Sequence, residues 1–305
     1  MTIYLDTNVL PRKGPLRSAA LDALLRIAQQ RRQVVAIPEI VVHESVNARY
    51  ESVLNEVEKL RKAVSEASSF FDVDPVYLPE PEEVATNWEE TLRHTFEVIP
   101  DAPDHALEAL RREARRVRPA SKGKGARDSL IWLTVLRHAK DSKGTHHFVS
   151  SNTNDFQGLK DLLHDDLATE ARQQGVDLEY SSTTETLLAR LADQANYTIS
   201  RDDALNEEHR GQVFFELFSG PWVDNLLEAH GGSASGANTL IKLKSVKTHR
   251  SYQVEETLLA SGTTVWTVSL EGFEDQLEVA ISVDAWFVFE AGALEKVELR
   301  SVRST

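Results

Sequence analysis

Short apolar runs alternate along the first two thirds of the chain with longer stretches whose apolar positions recur every three or four residues. Ile3, Tyr4 and Leu5 are apolar on both faces, as in a buried parallel strand. In "PLRSAALDALLRIAQQRRQ" (15–33), Leu16, Ala20, Leu24, Ile27 and Ala28 mark one face of an amphipathic helix. "VVAIP" (34–38) is a second strand, and 39–71 reads as one long helix or two broken ones. A Pro-rich acidic loop (72–83), helical stretches over 84–98 and 103–117, and a loop "PASKGKGA" (119–126) follow. An apolar helix (127–142), strands at 146–152 and 176–182, and a helix over 183–195 complete the pattern. Strand–helix alternation of this kind predicts an α/β fold with a central parallel sheet over 1–198.

The pattern changes near residue 196. "QVFFELFSGPWVDNLLEAH" (212–230) reads as helix interrupted at Gly220–Pro221, and "GGSASGAN" (231–238) as a flexible turn or linker. Beyond it five strand-like segments alternate polar and apolar: "TLIKLKSV", "SYQVEETLL", "TTVWTVSLEG", "QLEVAISVDAWFVFE" and "LEKVELRSV". They predict an antiparallel sheet or small barrel, hence a smaller β-rich (α+β) accessory domain over 199–305. That part has 9 Lys or Arg against 17 Asp or Glu, which argues against direct RNA binding, and it carries no catalytic constellation. An interaction, dimerisation or regulatory module is expected, whose partner is an inhibitory or regulatory protein or a second copy of the chain. Trp222, Trp266 and Trp286 are expected in its core.

The 305 residues carry 48 acidic against 34 basic side chains, a net charge of −14, which excludes a generic nucleic-acid coat. The basic residues are unevenly spread: 111–127, "RREARRVRPASKGKGAR", holds eight Lys or Arg against one Glu and ends at Asp128. No run of apolar residues is long enough for a membrane span, and no basic–apolar leader precedes the first strand. Without cysteine there is no disulfide framework or thiolate metal site. A cytoplasmic protein is expected.

Acidic residues recur where strands end or helices begin. Asp6 ends the first strand, Glu44 follows the second, Asp128 opens the apolar helix, and Asp155 follows the strand "HHFVSSN". In a parallel sheet the carboxyl ends share one edge, where ligands bind. Each acid has an ordinary alternative, as a cap, a first-turn acid or a solvated helix residue. If all four meet at one rim, their repulsion calls for a cation, and carboxylate oxygens suit Mg²⁺ or Mn²⁺. Such an ion, keeping waters, supports hydrolysis of a phosphate ester.

"YLDTNVL", "IPEIVVHES", "ARDSLIW" and "FVSSNTNDF" resemble, in order, the four acid-bearing segments of the PIN domain, a nuclease fold. The stretch 51–118 would then be a helical insertion, as in a larger PIN-like subgroup. The resemblance implies a metal-dependent endoribonuclease in which Asp6, Glu44, Asp128 and Asp155 hold one or two Mg²⁺ or Mn²⁺ ions. Thr7, Asn8, Ser150 and Asn152 would orient these ligands. Asn152 stands where some members carry Asp, which weakens a second metal. Lys122, Lys124 and Arg127 would hold phosphates of RNA or of another single strand, on a loop that Gly123 and Gly125 make mobile.

Other readings remain open. A haloacid-dehalogenase-like phosphatase needs a second Asp where Asn8 stands, and a receiver domain is far shorter. A flap-type nuclease on single-stranded DNA would use 51–118 as an arch. A PIN-like fold without activity would serve as a nucleic-acid or protein binding module.

Overall fold

The computed structural model describes residues 1–305 except 17, 73, 75–76, 220–237, 272–276 and 305. The chain divides into two compact units, Met1–Leu188 and Ala189–Thr305.

The first unit is built on β1 (Thr2–Leu5), β2 (Val34–Pro38), β3 (Glu97–Ile99), β4 (His146–Val149) and β5 (Leu178–Ser181). They form one sheet in the order β3-β2-β1-β4-β5, every pair parallel. The helices are α1 (Ala19–Gln30), α2 (Glu39–Ala67), α3 (Pro81–Thr95), α4 (Pro103–Arg115), α5 (Ala126–Lys140), the one-turn α6 (Thr153–Phe156) and α7 (Asp165–Gln173). α8 (Thr184–Leu191) runs across the boundary between the units. The apolar runs of β1 and β4 explain their central place: Ile3, Tyr4, Leu5, Phe148 and Val149 are fully buried. Trp132 of α5, Phe148 and Phe156 pack edge to face or tilted, with centroids 5.0 to 6.5 Å apart.

Some boundaries differ from the sequence reading. Residues 39–67 form one helix, and the helix expected over 84–98 ends at Thr95 because Glu97–Ile99 joins the sheet beside β2. Three residues are too few to show a strand period. The expected helix over 183–195 stops at Leu191, and Asp193–Gln194 is a short strand.

In the second unit β6 (Asp193–Gln194) precedes α9 (Arg201–Ala204) and α10 (Glu207–Ser219). Then come β7 (Asn238–Val254), β8 (Thr257–Glu271), β9 (Leu277–Glu290) and β10 (Ala293–Ser304). They form an antiparallel sheet in the order β10-β9-β8-β7-β6. Among the described residues the sheet is open, not a barrel. "SYQVEETLL", expected as one strand, holds the tight turn between β7 and β8 at Glu255–Glu256, with Glu255 in the left-handed region (φ 54°). Two glutamates give no turn signal, unlike Ala291–Gly292, where both φ values are positive as in a type I′ hairpin. Trp266 and Trp286 are buried in this unit. Trp222, most of the helix expected over 212–230 and nearly all of the expected linker lie outside the described residues.

Gly262, in mid-β8, is where another backbone comes close. A Cβ there would lie 2.5 Å from Ile199 Cδ1 and 2.8 Å from the Lys247 carbonyl oxygen. Gly262→Ala is expected to cost about 1–3 kcal/mol through this overlap. Urea unfolding of the full chain, followed by tryptophan fluorescence, should show a lower midpoint; an unchanged midpoint would contradict the packing described.

Candidate active site

The sheet order places a topological switch at β1. The chain builds outward through β2 and β3, then returns to β4 on the other side of β1. Open α/β sheets bind ligands outside the carboxyl ends of their strands at such a point. Here the first residue beyond β1 is Asp6, and the first beyond β4 is Ser150. The Asp6 amide donates to the Val149 carbonyl (3.0 Å), continuing the ladder one residue past the strand.

Asp6 is 2 % exposed, and both carboxylate oxygens are held by neutral donors. The Thr7 amide donates to Oδ1 (2.7 Å), while Asn8 Nδ2 (2.8 Å) and Ser150 Oγ (2.5 Å) donate to Oδ2. Asn8 is fixed from its other end, since its Oδ1 accepts from the Ser151 amide (2.7 Å). Ser150 Oγ accepts from the Asn152 amide (3.1 Å), and its carbonyl accepts from Tyr180 Oη (2.5 Å).

Glu44 lies in the second turn of α2. Thr7 Oγ1 donates to its Oε2 (2.6 Å), and Arg127 Nη1 pairs with its Oε1 at 2.8 Å. Asp128 sits in the first turn of α5, where Asn152 Nδ2 donates to its Oδ1 (3.0 Å). Gly125 begins that helix at φ 117°, and a Cβ there would stand 3.2 Å from Asp128 Oδ2. Glycine thus serves both the turn and the approach of the carboxylate. The α5 start is also capped from outside, because the Ala126 amide donates to Glu113 of α4 (2.8 Å).

Asp6, Glu44 and Asp128 line one pocket of about 310 Å³, together with Thr7, Asn8 and Arg127. Asp155 lies outside this lining, in α6, but its charge acts on Asp128. Arg118 Nη1 holds the carbonyls of Asn154 and Asp155, each at 3.1 Å. Of the three basic residues expected at the rim, Arg127 is engaged with Glu44. Lys122 and Lys124 are exposed and make no hydrogen bond or ion pair among the described residues. The same pocket is lined by Arg12, Asn47 and Glu51, which sequence reasoning missed. For the last two a signal existed: 44, 47, 48 and 51 share one face of a helix.

Burial, reinforced by the charges of Asp128 and Glu44, pushes the Asp6 pKa up to about 6 against the lowering effect of its hydrogen bonds. Asp128 is shifted upward too, by burial first and then by Asp155 and Glu44, while Asn152 and Arg127 oppose the shift. No Lys, Arg or His among the described residues forms an ion pair with Asp6 or Asp128. Arg127 and Arg12 line the same pocket, but Arg127 pairs with Glu44. The Asp6 and Asp128 carboxylates thus have no cationic partner of their own among the described residues, and their hard oxygens suit Mg²⁺ or Mn²⁺. Among the described residues, however, no group of three or more acidic or histidine side chains is gathered closely enough to hold a metal. The donor set fits an ion such as Mg²⁺, which keeps several waters and needs only one or two carboxylates beside substrate oxygens.

Against this geometry, the PIN domain family model matches residues 3–156, half of the chain. The chain belongs to the PIN domain family. PIN domains are generally metal-using nucleases, so membership suggests nuclease-type function and nucleic-acid binding. Comparison with curated proteins and with solved structures gives no match. Among the described residues no helix is long and apolar enough to cross a membrane.

The charge conflict has a measurable sign. A carboxyl whose folded pKa lies above its unfolded value binds a proton more tightly when folded. Its contribution therefore lowers stability as pH rises, in the window from about 4 up to the folded value near 6. Asp128→Asn, which removes one of the repelling charges, is expected to raise Tm by a few degrees in EDTA at pH 7.5. The gain should shrink towards pH 4, and the Asp6 carboxyl, followed by ¹³C NMR, should titrate lower than in the wild type. A variant no more stable at pH 7.5 than at pH 4, relative to wild type, would contradict this account.

Proposed function

We propose that residues 1–198 form a metal-dependent endoribonuclease and that 199–305 form an accessory domain. The reading is carried by one observation: Asp6 is buried with no basic side chain paired to it among the described residues, and the charges of Asp128 and Glu44 bear on it. A scaffold with no use for a metal would gain stability by losing such a cluster. One or two of Asp6, Glu44 and Asp128 would hold Mg²⁺ or Mn²⁺ directly and the others through its waters, with Asp155 adding charge through its effect on Asp128. When bound, the ion polarises a phosphodiester and lowers the pKa of its water.

The chain's own groups do the orienting. Ser150 and Asn8 fix the Asp6 carboxylate, Thr7 fixes Glu44, and Asn152 fixes Asp128. Lys122 and Lys124, exposed and without partners among the described residues, are available to substrate phosphates on an otherwise acidic protein. The enzyme is taken to be cytoplasmic, consistent with a chain that has no cysteine. A regulatory protein or a second copy is the partner proposed for the accessory domain.

The Arg127–Glu44 pair favours a second reading, since an arginine already neutralises one expected ligand. In that case the fold binds nucleic acid or protein without cutting. Cleavage of fluorescent RNA and single-stranded DNA separates the two. Cutting of RNA in Mn²⁺ or Mg²⁺, its loss in EDTA, and a fall of at least about 100-fold in Asp6→Asn and in Asp128→Asn are expected. A folded wild type that binds RNA but cuts neither polymer with either metal would establish the silent module, and a preference for DNA would make it a flap-type enzyme.

A further inference from the structure

A second cavity of about 420 Å³ adjoins the carboxylate pocket, and Arg12 lines both. Val53, Val57 and Leu60 of α2 form one wall, and Tyr77, Leu78 and Pro79 form the other. The volume lies within the range of small-molecule sites, about 300–1,000 Å³. Most of the lining surface is apolar, yet Tyr77 is 82 % exposed. A large aromatic left open beside an apolar slot is costly to keep in water unless something covers it.

The charges around this slot are unlike those of the protein as a whole. Arg12, Lys13 and Arg49 stand at it against the single carboxylate of Glu56. Lys13 is paired with Glu56 at 2.7 Å. Arg49 lies over the Trp88 ring and donates to the carbonyls of Arg12 (3.1 Å) and Gly14 (2.6 Å), pinning the loop that presents Arg12. The Arg12 guanidinium has no hydrogen-bond or ion-pair partner among the described residues. An exposed arginine on a pinned backbone, its guanidinium unpartnered among the described residues, thus stands between a carboxylate pocket and an apolar slot with an open aromatic ring.

From this geometry we infer that the slot receives the base of an unpaired nucleotide flanking the one in the carboxylate pocket. Arg12 takes the phosphate between the two nucleotides, and Tyr77 stacks on the base. The inference deepens the nuclease reading and rests on it. A base held in a duplex stack cannot enter the slot, so the site selects single-stranded nucleic acid. Stacking on an aromatic ring tolerates any base, so the slot confers strand selectivity without sequence selectivity.

The test uses the full chain and fluorescein-labelled U12 and dT12, alone and annealed to their complements, followed by fluorescence anisotropy in Ca²⁺ and in EDTA. Wild type should bind the single strands more tightly than the duplexes. Tyr77→Ala should weaken single-strand binding about tenfold, with Tm unchanged because the ring is exposed, and Tyr77→Trp should restore it. Arg12→Ala should weaken it as well and flatten its salt dependence. Wild-type affinity in Tyr77→Ala, equal affinity for duplex, or no binding of either strand would overturn the proposal. Metal-dependent cleavage, measured separately with wild type, would then still leave the nuclease reading standing.

Discussion

Asp6 is a carboxylate in a place where carboxylates are expensive: buried, faced by two others, and held only by neutral donors. That constraint organises the end of the sheet. An isolated ionised group of this kind would shift its pKa until it lost its charge, and the shift to about 6 goes part of that way. The hydrogen bonds from Thr7, Asn8 and Ser150 oppose the shift, so the fold supports the charged form that its own burial disfavours. Those donors come from two strand ends adjacent in space but more than 140 residues apart in sequence. β1 and β4 must pair in their observed register for the three bonds to form together.

The elements farther out act on the same rim. Arg112 of α4 forms a bidentate pair with Glu170 of α7, and Trp132 of α5 donates to the same carboxylate at 2.8 Å. Arg112 also holds the Arg118 carbonyl, while the Arg118 guanidinium holds the backbone that carries Asp155. Glu113, one residue after Arg112, caps the start of the helix that carries Asp128. One stretch of α4 and its following loop therefore fixes the approach of two of the four acids. The arginines of the basic run 111–127 divide accordingly: Arg112 is buried in structure, Arg118 braces a loop, Arg127 meets Glu44, and the two lysines stay exposed.

Much of this could be read from sequence, and the reasons differ by element. β1, β2, β4 and α1 have runs or periods long enough to be decisive, and the parallel sheet follows from their alternation with helices. β3 is invisible because three residues carry no period, and because Phe96–Ile99 continues the apolar spacing of the helix before it. The β7–β8 turn is hidden because Glu255 takes a left-handed conformation that glutamate does not advertise. At the candidate site, the acids could be named because each follows a strand or opens a helix. Arg12 could not, since nothing in "PRKGP" says which of its two cations will be paired. Lys13 finds Glu56 across 43 residues, and the Arg12 guanidinium has no partner among the described residues.

The two faces of α2 connect these observations. Glu44, Asn47, Ala48 and Glu51 look into the carboxylate pocket, while Val53, Val57 and Leu60 line the apolar slot beside it. A helix of 29 residues with a weak overall amphipathic pattern is expected where one helix serves several different neighbours along its length. Its first turns face acids and its middle faces an open apolar cavity, with Arg12 between them. In a protein of net charge −14, long-range attraction cannot gather a polyanion. Binding must then rest on short-range contacts in which charge and apolar surface act together, and the boundary between these two cavities is where the structure offers both.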